Sequence, residues 1–231
     1  MLSPCEVHVW LANLDLPTER IKSLSQILSS EELARASRFR FDADRNRFLV
    51  THAGLRMLLA KYSGDQPSAI EFCHNEFGKP HLQGSRSRGL QFNLSHSGTL
   101  ALFAFAQAEV GVDIERIRPE FASEQIAERY FSADEVTALR ALPSDQQALG
   151  FFNCWTRKES CIKAWGQGLS MPLSDFAVSL RPGDPASLLW HANQFEISEW
   201  SLRELPTPDP YVGAVAVRLK EPILNYREAS L

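Results

Sequence analysis

The chain has 231 residues, a formal net charge of −4, 23% charged residues and 44% hydrophobic ones. That is the length and balance of one large soluble domain or two small ones. The negative balance argues against a general nucleic-acid binder, which needs a net basic field to neutralise phosphates. No stretch approaches the ~20 apolar residues of a membrane span.

In chain order, "MLSPCEVHVW" has neither a basic leader nor a long apolar run, so no signal peptide is expected. The four cysteines, at 5, 73, 154 and 161, form no C-x-x-C pair. That argues against a zinc site and for reduced thiols in the cytoplasm. "EVHVWL" alternates like a strand. "ILSSEEL" carries Ser29 and Glu32 at the spacing of a helix capping box. "RFLVTHAGLRMLLAKYSG" then predicts a long helix ending near Gly64. A strand pair follows over Leu90 to Ala106, after the loop-like Gly84 to Gly89.

The same succession then repeats. "EVGVDIE" reads as a strand, and "YFSADEV" carries a second capping box, Ser132 with Glu135. "GFFNCWTRKESCIKAWGQG" predicts a long helix ending near Gly166 and Gly168, and a strand pair over Phe195 to Leu219 closes the half around an exposed Leu205 to Pro210 loop. The expected fold is therefore α+β, a pseudo-twofold duplicate of a long helix packed on a small antiparallel sheet. The expected halves are 1–108 and 109–231, with a cleft between them suited to a ligand. Aligning Phe48 with Phe151 sets Arg56 opposite Glu159.

Three carboxylates stand out in the second half. In "GVDIE", Val112 and Ile114 share one face, and Asp113 and Glu115 share the other, about 7 Å apart. A solvent-facing edge strand would explain that pair without any ligand. Glu159, however, falls within the apolar stripe of Trp155, Ile162 and Trp165. A buried carboxylate costs several kcal/mol unless compensated. Lys163, four residues on, is one candidate partner. A hard divalent cation held by Asp113, Glu115 and Glu159 is the other, and an all-oxygen set suits Mg²⁺. In the first half, "FGKP" projects Lys79 from a turn, and "FNLSHSG" ends a strand with Asn93, Ser95 and His96. Adjacent Ser95 and His96 point to opposite faces, which excludes a nucleophile–base pair. Arg35 begins an arginine-rich run that reads either as a solvated face or as a phosphate clamp.

"GVDIE" followed by "WTRKESCIKAWGQGL" resembles the paired signature of the 4′-phosphopantetheinyl transferases, G-(I/V)-D-x-E then W-x-x-K-E-(A/S)-x-x-K-x-x-G-x-G-L. "FGKP", "FNLSHSG" and "RYFSADE" fall in that family's order, and the length points to its two-half, surfactin-type class. The resemblance runs from about Ser29 to Leu180. It implies transfer of 4′-phosphopantetheine from coenzyme A to a serine of an apo acyl or peptidyl carrier protein. It implies Asp113, Glu115 and Glu159 as ligands of Mg²⁺, with Mn²⁺ as the alternative, and Glu159 and Lys163 as catalytic groups. Arg35, Lys79, Ser95, His96, Lys158 and Lys163 would contact coenzyme A. Glu32 stands where some members have lysine, and the capping box accounts for Glu135 without a ligand. Arg129 and Arg140 are candidate contacts for an acidic carrier. The expected protein is a cytoplasmic monomer that binds neither nucleic acid nor membrane. The rival readings are a Mg²⁺-dependent phosphohydrolase and a non-enzymatic binder of coenzyme A or carriers.

Overall fold

The computed structural model describes residues 2–83, 89–122, 124–166, 168, 171–192 and 196–231. Most of the loop expected at 84–89, the Leu169 of the signature and Phe195 lie outside the described residues.

The first half runs β1 (Glu6–Asn13), α1 (Thr18–Ser25), α2 (Ser30–Ala36), α3 (Asp42–Ser63), a short hairpin β2 (Phe72–His74) and β3 (Pro80–Leu82), then β4 (Gln91–Ser97) and β5 (Leu100–Ala106). The second half repeats it as β6 (Val110–Arg116), α4 (Glu124–Tyr130), α5 (Ala133–Arg140), α6 (Ser144–Trp165), β7 (Phe176–Val178), β8 (Leu188–His191), β9 (Ser201–Leu205) and β10 (Tyr211–Val217). The connectivity repeats as well. The first strand of each half pairs antiparallel with the last, and the last with the one before it, giving the orders β1-β5-β4 and β6-β10-β9.

Local chemistry sets the helix ends. Both capping boxes form: Ser29 accepts from the Glu32 amide and Ser132 from the Glu135 amide, and each glutamate accepts from its serine's amide. Each cap contributes about 1 kcal/mol. Both long helices have 22 residues and end on a left-handed glycine, Gly64 at φ 79° and Gly166 at φ 72°, a conformation glycine adopts without steric cost.

These two glycines correct the internal alignment. Superposing the helix ends places Arg56 opposite Lys158, one residue away from the register set by the phenylalanines. The contacts agree. Arg56 is buried, bonds Glu32 at 2.8 Å and donates to the carbonyls of Pro67 and Ile70. Lys158 is fully buried, bonds Glu135 at 2.8 Å and donates to the carbonyls of Leu173 and Phe176. In each half a cation on the long helix ties the capping glutamate to the segment that follows the helix. Aromatic identity is a weak constraint on register, because a phenylalanine can pack from either of two neighbouring positions. A cap is a strong one.

One strand lies outside the repeat. β11 (Ile223–Ala229) returns to the first half and pairs parallel with β1, Glu6 facing Ile223 and Ala12 facing Ala229. The first sheet is thus β11-β1-β5-β4.

The two sheets pack face to face, each with a long helix on its outer side. Val7, Val9, Leu102, Ala104, Val112, Ile114, Val215 and Val217 form the core between the sheets. Phe103 and Phe105 of β5 turn the other way, to α3, and Ala214 and Ala216 of β10 turn to α6. With both faces covered, β5 reads as an unbroken apolar run, "LALFAFA", rather than an alternating one.

Candidate active site

The site is built where β6 meets α6 and β4. Gly111 makes the first contact possible: a Cβ there would overlap the carbonyl oxygen of Ser160 and the backbone of Ala164. Only glycine lets the strand lie this close to the helix. Two residues on, Asp113 points to the helix side, as the alternation with Val112 and Ile114 requires. It is only 3% exposed, so β6 is no solvent-facing edge.

Asp113, Glu115, Glu159 and Lys163 line one cleft of about 660 Å³, together with Ser95 and His96 of β4. Tyr130, Trp155 and Met171 supply its apolar wall. Lys163 does not pair with Glu159, one turn back. Its ammonium donates to Asp113 Oδ1 at 2.6 Å and to Ser95 Oγ at 3.0 Å, and Ser95 Oγ donates to the same Asp113 oxygen at 2.7 Å. Ser97 Oγ donates to Glu115 Oε2 at 2.6 Å.

Two oxygen groups are left over. Asp113 Oδ2 is buried with no hydrogen-bond partner among the described residues. Among those residues, too, none donates a hydrogen bond to the Glu159 carboxylate or forms an ion pair with it. Burial, reinforced by the nearby Asp113 and Glu115 charges, pushes Glu159 up to about 7 against the pull of Lys163. Burial also raises Glu115, and its bond from Ser97 only partly offsets this. Crowded, partly desolvated carboxylates with an orphaned oxygen form a donor set that a hard divalent cation fits. Among the described residues, no three His, Cys, Asp or Glu side chains are already gathered closely enough to hold a metal ion.

His96 stands exposed at the cleft's mouth. Partial loss of hydration, and then the positive surroundings of His52, Lys163 and Arg47, keep its imidazole below the ordinary value. Arg35 is exposed and lies over the Phe48 ring at 5.3 Å, outside the cleft lining. Lys79 is also elsewhere. Its ammonium donates to the carbonyls of Val110 at 3.1 Å and Ala164 at 3.0 Å, tying the β2–β3 turn to the end of α6. Burial lowers it to about 8. Lys158, enclosed with Glu135, faces away from the cleft and holds Leu173, which lines it. Arg140 is occupied by Glu124 and Glu128 of its own chain.

Sequence reasoning passed over Ser97 and the Lys158–Glu135 pair. For Ser97 a signal existed: Asn93, Ser95 and Ser97 are polar at every second position of β4, opposite the apolar Phe92 and Leu94.

Comparison with known proteins agrees with the geometry. Residues 109–216 match the family described as the 4′-phosphopantetheinyl transferase superfamily, and residues 17–108 match 4′-phosphopantetheinyl transferase, N-terminal. The 4′-phosphopantetheinyl transferase HetI of Nostoc sp. is 41% identical over 92% of this chain and 87% of its own. A 4′-phosphopantetheinyl transferase of Bacillus subtilis is 36% identical over 70% of each chain, and Sfp of Bacillus subtilis strain 168 is 34% identical over 75% of each. With two family matches that meet at residue 108 and a relative this similar over nearly its whole length, the chain belongs to the 4′-phosphopantetheinyl transferases, in their two-half, surfactin-type class.

Proposed function

We propose that the cleft between β6, α6 and β4 is where this chain transfers 4′-phosphopantetheine from coenzyme A to a serine hydroxyl of an apo carrier protein. Adenosine 3′,5′-bisphosphate is the other product. The observation that carries the reading is the convergence of Asp113, Glu115, Glu159 and Lys163 on one cleft, with one buried carboxylate oxygen unsatisfied.

The reaction forms one phosphorus–oxygen bond to the carrier serine and breaks the one that joins the two phosphates. Lys163, already directed at Asp113, is placed to meet the negative charge that grows on the departing phosphate. Glu159, a cleft carboxylate to which no described side chain donates, is the base for the serine proton. His96, set among positive groups at the mouth, faces the nucleotide end, with Arg35 farther out. Asp113, Glu115 and Glu159 would hold Mg²⁺, which neutralises diphosphate charge when bound. Tyr130, Trp155 and Met171 offer an apolar wall to the pantetheine arm. Lys79 and Lys158 donate to backbone carbonyls and brace the segments that frame the cleft.

The four cysteines are free, which suits a reducing cytoplasm. The two halves bury their shared sheet face within one chain, which suits a monomer. None of the described helices is long and apolar enough to cross a membrane.

The test is intact-mass measurement of an apo carrier incubated with coenzyme A, Mg²⁺ and this protein. The expected result is a gain of one phosphopantetheinyl group on the carrier serine. Consumption of coenzyme A at the same rate without any carrier would overturn the transferase reading in favour of hydrolysis.

A further inference from the structure

β4 and β6 are edge strands of different sheets, and side chains join them where backbone pairing is absent. Asn93 Oδ1 accepts from the Val112 amide at 2.9 Å. Ser95 Oγ donates to Asp113 at 2.7 Å. Ser97 Oγ donates to Glu115 Oε2 at 2.6 Å and accepts from the Arg116 amide at 3.1 Å. All three come from alternate positions of β4, so they share one face of the strand, and all three are buried. Among the described residues the first half contributes no carboxylate to the cleft, yet its edge strand grips the strand that carries two of them.

Ser97 has the most specific part. Its hydroxyl has one proton to donate, and the Arg116 amide occupies an acceptor site on the oxygen. That bond orients the proton toward Glu115. Glu115 Oε2 is thereby engaged, and none of the described residues donates to Oε1.

We propose that Ser97 is a positioning residue for the cation site, anchoring the Glu115 carboxylate through Oε2 so that it stays presented to the cleft where it would help hold a divalent ion. This rests on the reading that Asp113, Glu115 and Glu159 hold that ion. Removing the hydroxyl leaves Glu115 free to rotate and leaves the Arg116 amide without its acceptor. Groups that orient metal ligands in this way govern metal affinity by about 10- to 100-fold.

The experiment compares wild type, Ser97→Ala, Ser97→Thr and Asp113→Ala, each as the full chain. Mn²⁺ binding is followed by electron paramagnetic resonance in the presence of coenzyme A. The Mg²⁺ concentration for half-maximal carrier modification is measured alongside, and thermal melting reports folding. The expected result is Mn²⁺ affinity about tenfold weaker in Ser97→Ala, an equal rise in the Mg²⁺ requirement, and KM for the carrier unchanged. Ser97→Thr, which keeps the hydroxyl, restores both. Wild-type Mn²⁺ affinity in a folded Ser97→Ala would overturn the proposal while leaving the cation site intact, provided Asp113→Ala loses Mn²⁺. Wild-type Mn²⁺ affinity in Asp113→Ala would instead overturn the cation reading, and the role of Ser97 with it.

Discussion

At the scale of single residues, the informative group is a carboxylate the fold leaves unpaired. Helical spacing offers Lys163 to Glu159, but the ammonium reaches Asp113 at 2.6 Å, where Ser95 supplies a second acceptor. A lysine stem is long enough to choose among neighbours, and tertiary contacts decide the choice. Glu159, held at about 7 in place of the ordinary 4.5, binds its proton more tightly in the folded state. The stability tied to it is therefore fully present below pH 4.5 and lost as pH rises to 7. In metal-free protein at pH 8, Glu159→Gln is expected to be more stable than wild type by about 2 kcal/mol, with no gain at pH 4; urea unfolding at the two pH values checks this. The same variant should keep coenzyme A binding and lose carrier modification by at least about 100-fold, in line with the loss of a general base. Calorimetry set against single-turnover rates separates the two effects.

At the scale of elements, the repeated device is the capping glutamate clamped by a helix cation. Burial pushes the Glu32 carboxyl up, but bonds from His52, the Ser29 amide and Arg56 outweigh it and hold it at about 2. Its contribution is whole above pH 4.5 and is lost as pH falls toward 2, about 1–2 kcal/mol in all after solvent screening. Glu32→Gln should flatten that part of the acid-unfolding curve. Lys158→Met strands the buried Glu135 carboxylate and should cost about 3–5 kcal/mol in denaturant unfolding, and Arg56→Met should cost less, because the half-buried Glu32 keeps its bonds from His52 and the Ser29 amide. Lys158→Arg should cost far less, because the first half already uses arginine at the matching position. Capping boxes and left-handed glycines are legible in sequence because they are local. The cation that completes each clamp is not, since it meets its glutamate 23 or 24 residues away, across a turn whose shape the sequence does not state.

At the scale of the whole molecule, the halves meet through the inter-sheet core, the Asn93–Ser95–Ser97 face and the Lys79 tie. Gly111→Ala would push β6 off α6 and separate the carboxylates from Glu159 and Lys163. The expected outcome is loss of carrier modification together with a melting temperature lowered by several degrees. Ending the chain before Ile223 removes β11 and bares β1 as an edge, and such a truncation should be less stable and prone to associate, as size-exclusion chromatography and thermal melting would report.

The sequence by itself determined the repeat, the capped helices, the strand alternation that sends Asp113 and Glu115 to one side, and the family signature. The caps and the alternation are written in spacings shorter than one element, and the repeat and the signature are successions of such local patterns. Only the tertiary structure decided that β11 joins β1, that Lys79 and Lys158 serve backbone carbonyls, and that Ser97 holds Glu115. These contacts join residues far apart in the chain, and a side chain's partner is chosen by what packing brings within hydrogen-bond reach, which no local pattern specifies.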